Sequence, residues 1–229
     1  MTKKQEKADR NGADAPLAAI RLPRPALKSK RTLASLLRQR RTTRELSDRD
    51  LPLSVLSDLL WAACGVNRKR GPFGMPGRTA ASASNSQEID VYVVRREGSY
   101  RYDAMEHCLL PVAAGDLRVL AIGRGQQGSG AEAPLRLVYV ADIDRLVHTS
   151  GFPEPGLLDP DVQRSYYYVD TGLIAANVYL YAASAGLAAW FHNCDRTGLR
   201  AKLGLRRDQR VLFGQTVGYP QRVTRRATT

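Results

Sequence analysis

Long apolar runs are missing from this chain. Nowhere do 18 apolar residues follow one another, so a membrane-spanning helix is not expected. Cysteine is scarce: Cys64, Cys108 and Cys194 lie far apart and form no CxxC pair. That spacing suits neither a disulfide framework nor a zinc site, and no metal site is expected. The opening MTKKQEKADRNGADAP holds no apolar stretch and is not a secretory signal as written. A reducing cytoplasm is therefore the expected location, with an exported form left open. No GxGxxG follows a strand, and the chain has no Walker loop and no HExxH, so the common nucleotide and metalloprotease fingerprints are absent. No internal repeat is found either.

What the chain does have is length and positive charge. Its 229 residues, 43% of them apolar, suffice for a hydrophobic core without staples. The formal charge is +13, which invites a polyanion partner. Its distribution argues otherwise. Residues 1–31 carry +6 and residues 222–229 carry +3, leaving +4 for the whole body between them. Helix-turn-helix, RRM and zinc-finger patterns are missing, as is any interleaving of aromatic and basic residues. Nucleic-acid binding through the basic ends is thus a distant reading, and a membrane partner is not expected.

Residues 1–25 are polar, charged and aperiodic, and read as a disordered or extended basic arm. A domain over 26–221 and a basic tail over 222–229 complete the division. Order is expected to begin near Thr32. Leu33, Leu36 and Leu37 make a helical stripe, and Leu53, Leu56, Leu59, Leu60 and Ala63 make a second, stopped at Gly65. A long Gly/Ser/Pro loop over 67–87 precedes a strand over 89–94, and Gly98 turns it into a hairpin. Residues 104–122 read as helical, broken near Pro111 and Gly115. Residues 135–142 form a strand buried on both faces. Residues 169–187 read as the longest helix, capped by Asp170, ended by Gly186 and apolar on nearly every side. A short strand over 188–193, a helix over 196–203 and a last strand over 210–219 follow. The order implies an α+β fold, a sheet covered by helices.

Three clusters carry chemistry. Arg40, Arg41, Thr42, Thr43 and Arg44 place three guanidiniums and two hydroxyls just past a helix, a set suited to phosphate. The plainer reading is a solvated basic helix end. Ser82, Ala83, Ser84, Asn85, Ser86 and Gln87 allow close backbone approach, and their amides both donate and accept. That segment reads equally as an ordinary polar loop. His192, Asn193 and Cys194 sit at a sharp turn after a strand, where backbone N–H groups can meet a ligand. His192 beside Trp190 and Phe191 reads as structural sooner than as an acid or base. Tyr166, Tyr167, Tyr168 and Phe73 suit either a pocket wall or a core or dimer role.

Taken together and in order, RRTTREL, DLLWAACGVNR, GRTAASASNSQEIDVYVV, YVDTGLIAANVYLYAASAGL and GQTVGYP resemble the nitroreductase family of FMN-dependent oxidoreductases. The likeness covers about residues 32–220. Within the family it most resembles the branch of small nitroreductase-like and peptide-azoline dehydrogenase-like proteins. The resemblance implies a mainly antiparallel sheet flanked by helices in an intertwined homodimer, with FMN at the interface. It implies that Arg40, Arg41 and Thr42 hold the phosphate end and that Arg44 reaches the flavin pyrimidine edge. The loop of Ser82, Ala83, Ser84, Asn85 and Gln87 would pack against the partner subunit's flavin, with Ala81 where the family has proline. Asn193 and Cys194 match the positions that meet flavin N5, where the family often has Glu-Gly. Arg225 and Arg226 stand as further phosphate contacts, and Gln126 or Gln127 as a middle-loop approach.

The implied activity is ping-pong reduction of a nitro, quinone or similar small-molecule acceptor, with NADH or NADPH as donor and no catalytic side chain, because the flavin does the chemistry. The alternative keeps FMN and reverses the flow: oxidation of a small or peptide-derived substrate, with electrons passed to oxygen.

Overall fold

The computed structural model describes residues 17–126, 128, 133–151 and 156–221. Its centre is a seven-stranded sheet in which every pairing is antiparallel. The strands are β1 (Ile20–Arg21), β4 (Ile89–Arg95), β5 (Gly98–Asp103), β6 (Cys108–Ala114), β7 (Leu135–Asp142), β8 (Ala188–His192) and β9 (Gln209–Gly218). They lie in the order β1-β6-β5-β4-β7-β9-β8. A separate ribbon pairs β2 (Val66–Arg68) with β3 (Gly77–Arg78). The helices are α1 (Leu33–Gln39), α2 (Leu53–Cys64), α3 (Ile143–Val147), α4 (Pro160–Ala185) and α5 (Arg196–Lys202). None of the described helices is long and apolar enough to cross a membrane.

The alternation of side chains along the central strands builds two cores. Val91, Val93, Leu137 and Tyr139 face α2 and α4, while Tyr92, Val94, Val138 and Val140 face Leu199 and Leu203 at α5. That is why β7 is buried along its whole length. On α2, Leu56, Leu59, Leu60 and Ala63 are buried as their spacing predicts, whereas Leu53, at the start of the same stripe, is 39% exposed. Helix α1 differs: Leu33 is 62% and Leu37 58% exposed, and no residue of the helix is buried.

Several expectations give way. Residues 104–122 are not helical; Cys108–Ala114 form β6. Strand β1 covers only Leu109 and Cys108 of that strand, so Pro111 lies on its open stretch, where a missing N–H costs no ladder bond. Order begins before Thr32, because β1 extends the sheet and Leu22 is buried. Ser57 Oγ donates to Pro23 O, and His107 ties Ser57 to Tyr102 OH, which pins this segment. Residues 1–16, the rest of the predicted arm, lie outside the described residues, as do residues 222–229.

The long helix begins at Pro160, two turns or more before Asp170. Asp159 is its cap, accepting from Asp161 N, and Pro160 suits the first position. Asp170 is instead buried in mid-helix. Gly186 ends the helix in a left-handed conformation (φ +68°) as expected. Nor is α4 covered on every side: Val169 is 59% exposed, and Tyr168 and Leu173 are each 41% exposed.

Candidate functional site

Strand β8 lies at the edge of the sheet, so alternate residues turn their backbone groups away from β9. The segment after α1 runs beside that edge. Thr43 N donates to Ala189 O at 3.0 Å, and Leu46 bridges Pro220. Two residues along β8, Phe191 N donates to the Tyr179 hydroxyl at 2.8 Å. Tyr179, on α4, also hydrogen-bonds Thr42 Oγ1 at 3.1 Å. The next outward amide in the alternation is that of Asn193. Neither its N–H nor that of Cys194 makes a hydrogen bond among the described residues. An exposed edge amide without a partner is a ready donor for a ligand atom.

The arginines gather at the same edge. The Arg40 guanidinium lies 5.5 Å from the Tyr179 ring centre, and that of Arg44 lies 5.3 Å from the Trp190 ring centre. These rings orient the cations without neutralising them. Arg38, Arg40, Arg41 and Arg44 are exposed, and none pairs with a carboxylate among the described residues. A cleft of about 430 Å³ opens between this segment and the end of α4, lined by Arg31, Arg38, Arg41, Thr43 and Tyr179. Arg31 reaches across it to Gln39 Oε1 and Ala183 O. Uncompensated guanidiniums beside a hydroxyl are the chemistry of a phosphate site.

The 82–87 loop lies elsewhere. It packs on the first half of α4, where Ala83 N donates to Asp170 Oδ2 at 2.9 Å. Asp170 and Tyr179 are nine residues apart on one helix, about 14 Å at 1.5 Å per residue. A single chain therefore does not bring the loop to the arginines by way of α4. Ser84, Asn85 and Gln87 all have left-handed backbone, with φ of 46°, 58° and 53°. Such residues cost roughly 1–3 kcal/mol each and tend to mark functional segments. Asn85 and Gln87 spend their side chains on the loop itself. Asn85 Nδ2 donates to Pro72 O and Pro76 O, while Gln87 Nε2 donates to Pro76 O and Asn85 Oδ1 and Gln87 Oε1 accepts from Arg78. What the loop has to offer a ligand is backbone and the small Ser82, Ala83 and Ser84.

Behind the loop lies a pair of buried carboxyls. Ser86 Oγ donates to Glu88 Oε2 at 2.6 Å, and the Glu88 and Asp170 side chains line the same small cavity. Burial first, and then the facing Asp170 charge, push Glu88 up to about 7; burial also raises Asp170. Neither has an ion-pair partner among the described residues.

At the end of β8, His192 is buried, and burial lowers its pKa to about 4. Its Nδ1 lies 2.9 Å from Asn193 O, which only accepts, so Nδ1 is the donor. Nε2 then accepts from Thr216 Oγ1 at 2.7 Å. A neutral imidazole spent on both nitrogens holds the turn and is no acid or base at neutral pH. Cys194 turns its thiol into the core beside α5, where burial raises it to about 11. Only its backbone is available to a ligand. Gln126 Oε1 is buried without a hydrogen-bond partner among the described residues, beside Gly123, whose position also adjoins Asn193. The middle loop thus does approach this turn, while Gln127 lies outside the described residues.

Arg225 and Arg226 also lie outside them; Gln221 N, bonded to Glu45 O, is the last described contact toward that tail. Tyr167 is core, Tyr168 is 41% exposed against Phe213, and the Phe73 ring covers Gly151. Sequence reasoning missed Tyr179, Trp190 as the seat of Arg44, and the Glu88–Asp170 pair. Tyr179 is the one polar-tipped aromatic in the second half of the helix facing residue 191, but only the strand order reveals an unpaired edge there.

The sequence profile of the nitroreductase family matches residues 37–219. A Methanocaldococcus jannaschii protein provisionally named a nitroreductase is 31% identical over 182 residues, 74% of this chain and 85% of that protein. A Ralstonia eutropha crystal structure, also provisionally named a nitroreductase, superposes with a TM-score of 0.75 at 37% identity, covering 90% of this chain and 93% of that one. The NADPH:FMN oxidoreductase of Vibrio harveyi, solved with NAD+, shares the fold at 18% identity, with a TM-score of 0.56 over 82% of this chain and 69% of its own. With the antiparallel sheet and the arginine-lined edge of β8, these matches make the chain a member of the nitroreductase family, and so an oxidoreductase.

Proposed function

We propose that the chain is an FMN-dependent oxidoreductase, acting as a homodimer and using NADH or NADPH to reduce a nitro, quinone or similar small acceptor. The observation that carries this reading is the edge of β8. It gathers a hydroxyl with exposed guanidiniums and backbone N–H groups that are unpaired among the described residues. Arg40, Arg41 and Thr42 would hold the phosphate, and Arg44, seated on Trp190, would reach the pyrimidine edge. The Asn193–Cys194 turn would present its N–H groups to N5, locked from behind by His192. Bound FMN would supply the two-electron redox chemistry between donor and acceptor. The protein's contribution is orientation and charge: a cation near the pyrimidine edge favours the anionic reduced ring.

A second copy supplies what one chain lacks. Leu33, Leu37, Val169 and Leu173 leave apolar area on α1 and α4 that a twofold contact would bury. The same contact would carry the 82–87 loop of one copy to the cleft of the other.

Anaerobic titration with NADH and with NADPH, following the flavin band, tests the reading. Bleaching by either donor, followed by return of colour with a quinone or nitroarene, is expected. A protein that binds no added FMN overturns the flavin site. Bound flavin that neither donor bleaches overturns the reductase direction and favours oxidation of a substrate instead.

A further inference from the structure

We propose that Glu88 and Asp170 are positioning residues: a carboxyl pair that shares one proton and so holds the 82–87 loop in the shape that closes the cofactor site. The role rests on the flavin reading above, in which this loop meets the cofactor of a second copy.

The geometry converges on the pair from three sides. Asp170 comes from α4, Glu88 from the residue before β4, and the loop between supplies Ala83 N to Asp170 and Ser86 Oγ to Glu88. Glu88 is fully buried and Asp170 is 4% exposed. Glu88 Oε1 has no N–H or O–H donor among the described residues. Both carboxyls line the same small cavity, no cation pairs with either among the described residues, and one proton shared between two buried carboxyls removes one of the two charges. With that proton the pair is one unit of charge −1. Without it, two anions face each other out of water, and the loop that links them is the part free to yield.

The loop has reason to yield. Three left-handed non-glycine residues within four positions store backbone strain, and the Asp170–Ala83 bond is what ties their start to α4. The other titratable groups facing the same small cavity are Cys64 on α2 and Arg78 on β3. Burial raises the Cys64 thiol to about 11, so it stays neutral in the range where the pair titrates. Arg78 is directed to Cys64 O and Gln87 Oε1. Asp90, two residues along the chain, is paired with Arg145. The pair therefore carries the titration of this region.

The sign follows from the raised pKa values. The pair's contribution is full below the ordinary carboxylate range and is lost as pH rises through neutrality.

The test is the FMN dissociation constant of the full chain between pH 6 and pH 9, for wild type and Glu88→Gln. The glutamine amide is neutral at every pH and so imitates the protonated acid. Wild type should weaken at least tenfold over this range, and Glu88→Gln should hold its low-pH affinity throughout. Titration of the FMN phosphate is common to both proteins, so the difference isolates the pair. The thermal midpoint of the FMN-free protein should fall with pH in wild type and stay flat in the variant. Equal pH slopes in the two proteins overturn the pair's role and leave the flavin reading standing. If FMN binds neither protein at any pH, the flavin reading fails and takes the pair's role with it. Asp170→Asn is the second variant: it keeps an acceptor for Ala83 N and should also flatten the profile, whereas a retained slope counts against the proposal.

Discussion

The two halves of helix α4 treat charge in opposite ways. Around Tyr179, near its end, arginines 38, 40, 41 and 44 stand exposed, and none pairs with a carboxylate among the described residues. Around Asp170, near its middle, two carboxyls are buried with no cation paired to them among the described residues. A charge left unpaired in water costs little and stays available to a ligand. A charge left unpaired in the core must be neutralised, and the cheapest neutraliser is a proton. The first arrangement suits an anion, and the second suits holding a loop. The proposed two-copy site would use both, each chain offering its arginines to one cofactor and its loop to another.

The largest effect should come from the exposed region. Replacing Arg40 and Arg41 together by alanine removes two charge-assisted contacts, each contributing about 1.5–3 kcal/mol, and should weaken FMN binding at least about 100-fold. Arg95→Ala, which breaks an exposed pair with Glu97, should leave FMN affinity within about twofold in the same fluorescence titration. Equal losses from both would erase the distinction between free and paired arginines.

Next comes His192, behind the β8 edge. Its pKa is lowered in the folded state, so the unfolded chain takes the proton first and stability falls as pH drops from about 6.5 to about 4. A shift of that size corresponds to about 3 kcal/mol. In His192→Asn, urea denaturation should show that much less loss between pH 7 and pH 4. The effect runs opposite in pH to that of the carboxyl pair, which separates the two regions in one pH series.

Leu33→Asp places a charge in the proposed twofold contact. Losing one leucine burial of about 1.5–3 kcal/mol should raise the dimer dissociation constant at least about tenfold, visible by light scattering. The smallest effect is expected for Tyr179→Phe. It leaves Phe191 N without its acceptor and Thr42 without its partner. A loss of about 1 kcal/mol in stability with a few-fold weaker FMN binding is expected.

Much of this was legible in the chain itself. The five ordered segments pointed to the family, and the largely apolar run of LRLVYVAD pointed to a doubly buried strand. Other features depend on contacts that no local pattern reports. Residues 108–114 read as helical because apolar residues and small breakers look alike in both settings, and only pairing with β5 decides. Asp170 looked like a helix cap because an acid before an apolar run usually is one; its partner Glu88 lies 82 positions away in sequence. Asn85 and Gln87 looked free to donate to and accept from a ligand, but the turn geometry of their own loop claims them.

The most direct test of the two-copy site is complementation in mixed dimers. One chain carries Arg40→Ala with Arg41→Ala; the other carries Ala83→Glu on the loop. Each alone should bind no FMN at a concentration that saturates wild type. A heterodimer formed by co-refolding has one site with wild-type arginines from one chain and a wild-type loop from the other. Random mixing should therefore restore about a quarter of the wild-type FMN sites. Restoration of none would contradict the account, because it would mean that arginines and loop serve the same chain's site.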